Sequence, residues 1–287
     1  MDPNDNPVGY ASDELDRQYN ARASVPDCLP YLKEYADYSA QARLKIAGEL
    51  GVPYGPHPDE TLDIFPAAGL APVYLFIHGG YWRALSRDDS SFMAPAFVGH
   101  GATVVAVNYS LAPGVSLSDI VDQCRRALAW VYKNIERYGG DPSRIHVSGS
   151  SAGGHLVGML LAPGWKEQLD VPEHVIQSAS PISGLFDLRP LVRTHINAWA
   201  HMNVQSARSL SPVFHLPSAG CPMLLAWGEH ETDEFKRQSA MYAQAWAERG
   251  YPVRCLEVAG TNHFNILMQL RDAESALSRS IFELMGL

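Results

Sequence analysis

Residues 144–155 have the sequence RIHVSGSSAGGH, in which a run of strand-forming residues passes into a turn of small residues. The segment GSSAG at 149–153 matches the pattern G-x-S-x-G. This pattern places a serine on a sharp, strained turn between a strand and a helix, where only small neighbours fit. The helix that follows would direct backbone N–H groups and a partial positive charge toward the serine. We therefore predict that Ser151 is a nucleophile, although an ordinary tight strand–helix turn would show the same pattern.

A glycine pair lies in an earlier loop of the same kind. Residues 76–82, FIHGGYW, continue directly from an apolar run. Consecutive glycines let the backbone approach a ligand closely. In acyl-transfer enzymes with the serine turn, an oxyanion is held by the amide after the nucleophile and by amides of an earlier HGGG-type loop. We predict that the amides of Gly79, Gly80 and Ala152 form this oxyanion hole, and that His78 shapes the loop by hydrogen bonding.

A serine nucleophile needs a general base and a carboxylate that orients the base. His263 is our candidate for the base, because it comes directly after a predicted late strand. Its position also agrees with the chain order serine, acid, histidine. The acid should follow the strand predicted at 222–227, where several carboxylates occur in 228–234. We predict Glu231 as the acid, with Asp233 as the alternative.

Apolar runs alternate with segments of helical spacing along the chain, which favours an α/β fold with a mostly parallel central sheet and helices on both faces. In such sheets ligands bind at the carboxyl ends of the strands. Residues 1–30 are polar and irregular, and 51–58 are rich in glycine and proline. We predict strands at 62–65 (an edge strand), 72–77, 103–108, 144–148, 176–180, 222–227 and 253–258, and helices at 31–50, 117–135, 235–249 and 270–285.

The length of 287 residues fits one or two domains. Because the predicted site residues must converge on one sheet, we expect a single α/β domain over 1–287. Residues 1–50 would then form an N-terminal segment over the pocket, and 184–220 a lid or pocket insertion. Three aromatic residues are candidates for the pocket lining: Tyr81, Trp82 and Trp199.

Composition excludes several classes of protein. The net charge of −9 makes nucleic acid an unlikely partner. No apolar run is long enough to cross a membrane, and the acidic N-terminus lacks the features of a signal peptide. The scattered cysteines indicate free thiols of a cytoplasmic protein. Metal and cofactor motifs are missing, so we expect neither. Whether the chain forms a homodimer is left open.

Several segments together resemble a known superfamily, the α/β hydrolases, in the branch typified by hormone-sensitive lipase. Within that branch the chain is most similar to the kynurenine formamidase (arylformamidase) group. The segments that carry the resemblance are LDRQYN at 15–20, HGGYW at 78–82, NYSLAP at 108–113, GGDPSRIHVSGSSAGG at 139–154, SGLFDL at 183–188, EFKRQS at 234–239 and GTNHF at 260–264.

This resemblance implies Ser151 as nucleophile, His263 as base and Glu231 at the acid position, where animal formamidases carry aspartate. It implies a serine hydrolase that cleaves a small ester or amide, above all an aryl formamide such as N-formyl-kynurenine. The alternatives are a general carboxylesterase on short-chain esters and, more remotely, a non-catalytic binding protein with the hydrolase fold.

Overall fold

The computed structural model describes residues 9–287, which contain one eight-stranded sheet. The strands are β1 (Glu49–Pro53), β2 (Thr61–Phe65), β3 (Ala71–Ile77), β4 (Thr103–Val107), β5 (Gly140–Ser150), β6 (Ile176–Ile182), β7 (Met223–Gly228) and β8 (Val253–Val258). Their order across the sheet is β1-β2-β4-β3-β5-β6-β7-β8. The pairs β1–β2 and β2–β4 are antiparallel, and the remaining pairs are parallel. The predicted α/β fold is therefore confirmed.

The helices are α1 (Ser12–Tyr19), α2 (Leu29–Lys45), α3 (Ala94–Gly99), α4 (Leu117–Asn134), α5 (Ala152–Leu161), α6 (Asn197–Ala200), α7 (Val204–Ser209), α8 (Asp233–Glu248) and α9 (Ala276–Met285). Helix α4 begins with a capping box between Ser116 and Asp119. Within the described part of the chain, no helix combines the length and the apolar character needed to span a bilayer.

The sheet separates two hydrophobic cores. Every residue of β3 is buried, and successive side chains of a strand point to opposite faces. Leu75 and Ile77 accordingly pack into one core with α4, α5 and α8. Tyr74 and Phe76 pack into the other core, with α3 and α9. Burial on both faces explains why this strand is a continuous apolar run in the sequence.

The strand register brings the functional loops together. Ile77 at the end of β3 pairs with Gly149 of β5, and Ser150 pairs with Ile182 at the end of β6. Gly228 at the end of β7 pairs with Val258 at the end of β8. The loops that follow these strands therefore all leave the same edge of the sheet.

Two predictions near the N-terminus are wrong, and strand β1 was not predicted. The segment 62–65 is not an edge strand, because β1 pairs with β2 on its outer side. Strand β1 lies partly in the glycine- and proline-rich segment, where Gly51 has a φ of +67° and the register shifts, so its sequence lacks a regular strand pattern. Helix α1 lies within the segment predicted to be irregular, of which residues 1–8 are outside the described part. At the other end, α9 begins at Ala276, after a 3₁₀ helix over Asn265–Arg271.

Candidate active site

Ser151 occupies the turn between β5 and α5. Its backbone has φ 56° and ψ −117°, a conformation that non-glycine residues rarely adopt and that costs about 1–3 kcal/mol. Its N–H donates to the carbonyl of Ile182 at 2.9 Å, which ties the turn to the neighbouring strand β6. The strained turn therefore holds Ser151 outside the carboxyl end of the sheet.

The two glycines of the serine turn are required for steric reasons. A Cβ on Gly149 would lie 2.6 Å from the carbonyl oxygen of Gly153 and 2.8 Å from that of Ile77. A Cβ on Gly153 would lie 2.0 Å from the Ile77 oxygen and 2.7 Å from the His78 oxygen. Backbone atoms cannot move away as a flexible side chain can. The pattern G-x-S-x-G thus reflects the close packing of this turn against the end of β3.

The loop after β3 runs directly beside the serine. A Cβ on Gly79 would lie 2.7 Å from the Ser150 oxygen and 3.3 Å from Cβ of Ser151. Gly80 has a φ of +94°, and a Cβ there would lie 2.2 Å from the Ala84 oxygen. Ala152 is the first residue of α5, so its N–H is among those left free at a helix N-terminus. The backbone of this loop and the start of α5 therefore flank Ser151.

His78 supports this loop from the protein interior. Its Nδ1 donates to the Gly79 carbonyl at 2.9 Å, and its ring stacks on Tyr109 at 4.0 Å between centroids. The Tyr109 hydroxyl donates to the His78 carbonyl at 3.0 Å. Burial lowers the pKa of His78 to about 4, so the ring is neutral at pH 7. These contacts agree with a role in shaping the loop.

His263 and Glu231 form a buried pair. Glu231 follows β7 and His263 follows β8, and the exposed fractions of these residues are 6% and 7%. The distance from His263 Nδ1 to Glu231 Oε2 is 2.7 Å. Since a carboxylate accepts, Nδ1 carries the proton and Nε2 is left to accept one. Asp233, the alternative acid, is an exposed residue at the start of α8.

The second oxygen of the Glu231 carboxylate is also held in place. Oε1 accepts from the Ser183 hydroxyl at 2.5 Å and from the Gly228 N–H at 2.7 Å. Ser183 directly follows β6, has a φ of 51°, and donates its N–H to the Ala226 carbonyl at 2.7 Å. Sequence reasoning did not assign Ser183 to the site. The sequence signal that could have identified it is its position at the carboxyl end of a strand, in the segment SGLFDL.

Ser151 and His263 line one cavity of about 500 Å³. This volume is within the range of roughly 300–1,000 Å³ that small-molecule sites occupy. Tyr81 and Trp199, two of the aromatic candidates, contribute to the lining.

Trp82, the third aromatic candidate, does not line the cavity. It is fully buried behind the loop, and its Nε1 donates to Nδ1 of His155 at 3.2 Å. His155 Nε2 in turn donates to the Leu210 carbonyl at 2.7 Å. Burial lowers the pKa of His155 to about 4, which keeps this ring neutral. The left-handed φ values of Tyr81 and Trp82, 48° and 59°, direct one ring to the cavity and the other to the core.

Two segments outside the sheet border the same cavity. The Tyr81 hydroxyl donates to the Tyr19 carbonyl at 2.5 Å, which attaches the loop to the N-terminal segment. Trp199 Nε1 donates to the Tyr81 carbonyl at 3.0 Å, which attaches the loop to the insertion at 184–220. Residues from both segments, among them Ala21 and Ile196, line the cavity.

Within residues 9–287, no group of three or more histidine, cysteine, aspartate or glutamate side chains is arranged to hold a metal ion. The site is thus built from a serine, a histidine–carboxylate pair and backbone amides. This arrangement can activate a hydroxyl nucleophile and stabilise negative charge on a neighbouring oxygen.

Comparisons with known proteins agree with this chemistry. A family model described as the α/β hydrolase fold matches residues 74–267. Kynurenine formamidase of Salmo salar is 32% identical over 96% of this chain and 96% of its own. Esterase LipQ of Mycobacterium tuberculosis is 28% identical over 69% of this chain and 52% of its own. The crystal structure of a candidate thioesterase from Silicibacter sp. TM1040 superimposes with a TM-score of 0.81 at 30% identity, over 93% of this chain and 98% of that one. From its fold, its family match and this full-length similarity, the chain belongs to the α/β hydrolases, in the group that contains the kynurenine formamidases, and it is a hydrolase of ester or amide bonds.

Proposed function

We propose that this hydrolase cleaves an aryl formamide such as N-formyl-kynurenine through a formyl-enzyme, with Ser151 as the nucleophile. The observation that carries the mechanism is the buried His263–Glu231 pair, whose histidine lines the same cavity as the strained serine. The observation that favours a formamide is the similarity to a kynurenine formamidase over nearly the full length of both chains.

In the first half-reaction, Ser151 Oγ attacks the formyl carbon while His263 Nε2 takes the hydroxyl proton. Glu231 keeps the imidazole in the required tautomer and stabilises the imidazolium. The amides of Gly79, Gly80 and Ala152 bind the oxyanion. His263 then protonates the amine nitrogen, the C–N bond breaks, and the arylamine leaves.

In the second half-reaction, water attacks the formyl ester of Ser151 and gives a proton to His263. The C–O bond to Ser151 breaks, His263 returns the proton to Oγ, and formate is released. A formyl group needs little space, whereas the arylamine needs an apolar surface. Tyr81, Trp199, Leu32 and Phe264 in the cavity lining supply such a surface.

We propose that the N-terminal segment and the insertion at 184–220 cover the arylamine side of the pocket, as parts of one hydrolase domain. The hydrogen bonds from Tyr81 to Tyr19 and from Trp199 to Tyr81 support this arrangement. Both segments then belong to the substrate site, because the described residues contain a single sheet.

The direct test compares kcat/KM for N-formyl-kynurenine with that for a short-chain aryl ester, in wild-type protein and in Ser151→Ala. The variant should lose on the order of 10⁴ or more in kcat. Ser150→Ala is a matched control, because Ser150 is adjacent, buried and also in the cavity lining. Activity retained in Ser151→Ala would overturn the assignment of the nucleophile, and loss of activity in Ser150→Ala at the same time would point to Ser150.

Hydrolysis of short-chain esters is the second candidate function. The similarity to an esterase and to a candidate thioesterase favours it. A kcat/KM that is much higher for p-nitrophenyl acetate than for N-formyl-kynurenine would support the esterase over the formamidase. A folded protein that no fluorophosphonate probe labels at Ser151 would instead be a binding protein.

A further inference from the structure

The cavity lining differs in charge from the protein as a whole. The chain has a net charge of −9, whereas the described residues that line the cavity include two arginines, Arg22 and Arg83, and neither aspartate nor glutamate. Both arginines are exposed, so they lie where the cavity meets solvent. The entrance of the pocket therefore carries positive charge on a negatively charged protein.

Arg83 is positioned by an aromatic contact. Its guanidinium carbon lies 4.2 Å from the centre of the Trp199 ring. Trp199 is held in turn by its hydrogen bond to the Tyr81 carbonyl. A guanidinium that stacks on a ring uses its face, which leaves the N–H groups along its edge available to an anion.

Arg22 is positioned by local backbone structure. It belongs to a 3₁₀ helix over Ala21–Ser24, in which the Asn20 side chain accepts from the Ala23 N–H at 3.2 Å. The short helix holds this part of the N-terminal segment against the cavity, where Asn20, Ala21 and Ala23 are also lining residues.

Neither guanidinium has a carboxylate partner within the described residues. Other arginines of this chain do, for example in the pairs Arg87–Asp63 and Arg189–Asp187, each at 2.8 Å. The carboxylate of Asp16 pairs with His195 instead, because its Oδ1 accepts from the His195 N–H at 2.6 Å and from Nδ1 at 2.7 Å. Among residues 9–287, no carboxylate thus neutralises the two cations at the cavity entrance.

We propose that Arg22 and Arg83 bind a carboxylate of the substrate and so determine which substrates the enzyme prefers. This inference rests on the proposed function, which decides which part of the substrate faces the arginines. A formyl group carries no negative charge, so the carboxylate must belong to the leaving arylamine. An arginine pair suits this task because guanidinium N–H groups match the two oxygens of a carboxylate. The aromatic part of the leaving group would lie between the arginines and Ser151.

The test uses pairs of substrates that differ only in this charge. N-formyl-kynurenine is compared with its α-carboxamide, which keeps the formamide, the ring and the amino group. The wild-type enzyme should prefer the carboxylate by about 10-fold or more in kcat/KM, since hydrogen bonds between a guanidinium and a carboxylate are stronger than those to a neutral amide. The preference should fall as ionic strength rises, because the arginines are exposed.

Variants then assign the effect to the two residues. Arg22→Gln and Arg83→Gln should each raise KM for the carboxylate and lower its kcat/KM about 10-fold. Hydrolysis of the carboxamide should change less than about twofold. Arg208→Gln is the matched control for Arg83, because Arg208 is exposed and stacks on Phe214 at 4.1 Å outside the cavity lining. The exposed Arg137 gives the corresponding control for Arg22.

An ester pair separates this inference from the proposed formamidase activity. 3-Acetoxybenzoate and 3-acetoxybenzamide differ in charge on the leaving group and need only esterase activity. If formamides are not cleaved but the carboxylate ester is preferred and both variants abolish that preference, the arginine site stands and the formamidase proposal fails. If wild-type enzyme cleaves both members of a pair equally, or the glutamine variants keep the preference, the arginine proposal is refuted.

Discussion

Removing the Ser183 hydroxyl tests whether the Glu231 carboxylate must be held at both oxygens. Oε2 faces His263, and Oε1 accepts from Ser183 Oγ at 2.5 Å and from the Gly228 N–H at 2.7 Å. Ser183→Ala leaves one donor on Oε1, in a site from which solvent is largely excluded. The carboxylate can then rotate away from the line that joins it to His263.

The expected loss of kcat in Ser183→Ala follows from the negative charge of the Glu231 carboxylate, which accepts the hydrogen bond. A hydrogen bond to an ionised group contributes about 1.5–3 kcal/mol. If the transition state, in which the His263 imidazolium forms, loses about this much stabilisation, kcat falls roughly 10- to 100-fold. Removing the negative charge altogether, as in Glu231→Gln, sets the upper limit at roughly 10²- to 10⁴-fold. KM should change little, because Ser183 is not part of the cavity lining.

The assay measures kcat and KM with N-formyl-kynurenine or an aryl acetate, together with the free energy of unfolding in urea. Ser178→Ala is the matched control, since Ser178 is buried in β6, the strand that Ser183 follows, and pairs with His146 Nδ1 at 2.7 Å, away from the cavity. It should lose stability but keep kcat. Ser183→Gly is a second variant, because glycine accepts the φ of 51° without strain.

Two results would refute this reasoning. One is a kcat within about twofold of wild type in both Ser183 variants, which would mean that the Gly228 amide alone orients the carboxylate. The other is a loss of kcat in Ser178→Ala equal to that in Ser183→Ala, which would assign the effect to general destabilisation of the strand.

Three further expectations concern the acid, the serine turn and low pH. Glu231→Gln should cost roughly 10²- to 10⁴-fold in kcat, while the exposed Asp233→Asn stays near wild type; the reverse order in steady-state kinetics would identify Asp233 as the acid. Gly153→Ala should abolish soluble, active protein, because its Cβ would lie 2.0 Å from a backbone oxygen, whereas Gly99→Ala has open space and should fold normally in a circular dichroism melt. Burial lowers the pKa values of His78, His146 and His155 to about 4, so between about pH 6.5 and 4 the unfolded chain binds protons that the folded chain does not. The free energy of unfolding in urea should therefore fall as pH is lowered through this window, by on the order of 2 kcal/mol per histidine at pH 5, and a constant value would contradict the assignment.

Much of the fold could be predicted from the sequence because its strands are buried on both faces. Strands β3 and β4 are continuous apolar runs for that reason, and the serine turn needs glycines at fixed positions. Strand β1 was missed because its glycine and register shift leave no periodic pattern. Helix α1 was missed because its 8 residues are too few to establish a helical period in the sequence.

Some features of the candidate site follow from the local sequence, and others depend on contacts between distant residues. The sequence by itself determined the turn at Ser151, the glycine loop beside it and the placement of His263 after a late strand, because each depends on residue size and order within a few positions. Only the tertiary structure decided that Glu231 and not Asp233 meets His263, that Ser183 holds the carboxylate, and that Trp82 turns into the core while Trp199 supports Arg83. These contacts join residues from about 30 to more than 100 positions apart, and their geometry is set by strand register and loop course. The periodicity of a sequence does not predict contacts between residues so far apart in the chain. The charge and shape of the pocket therefore follow only from the tertiary structure, in which the strands are paired.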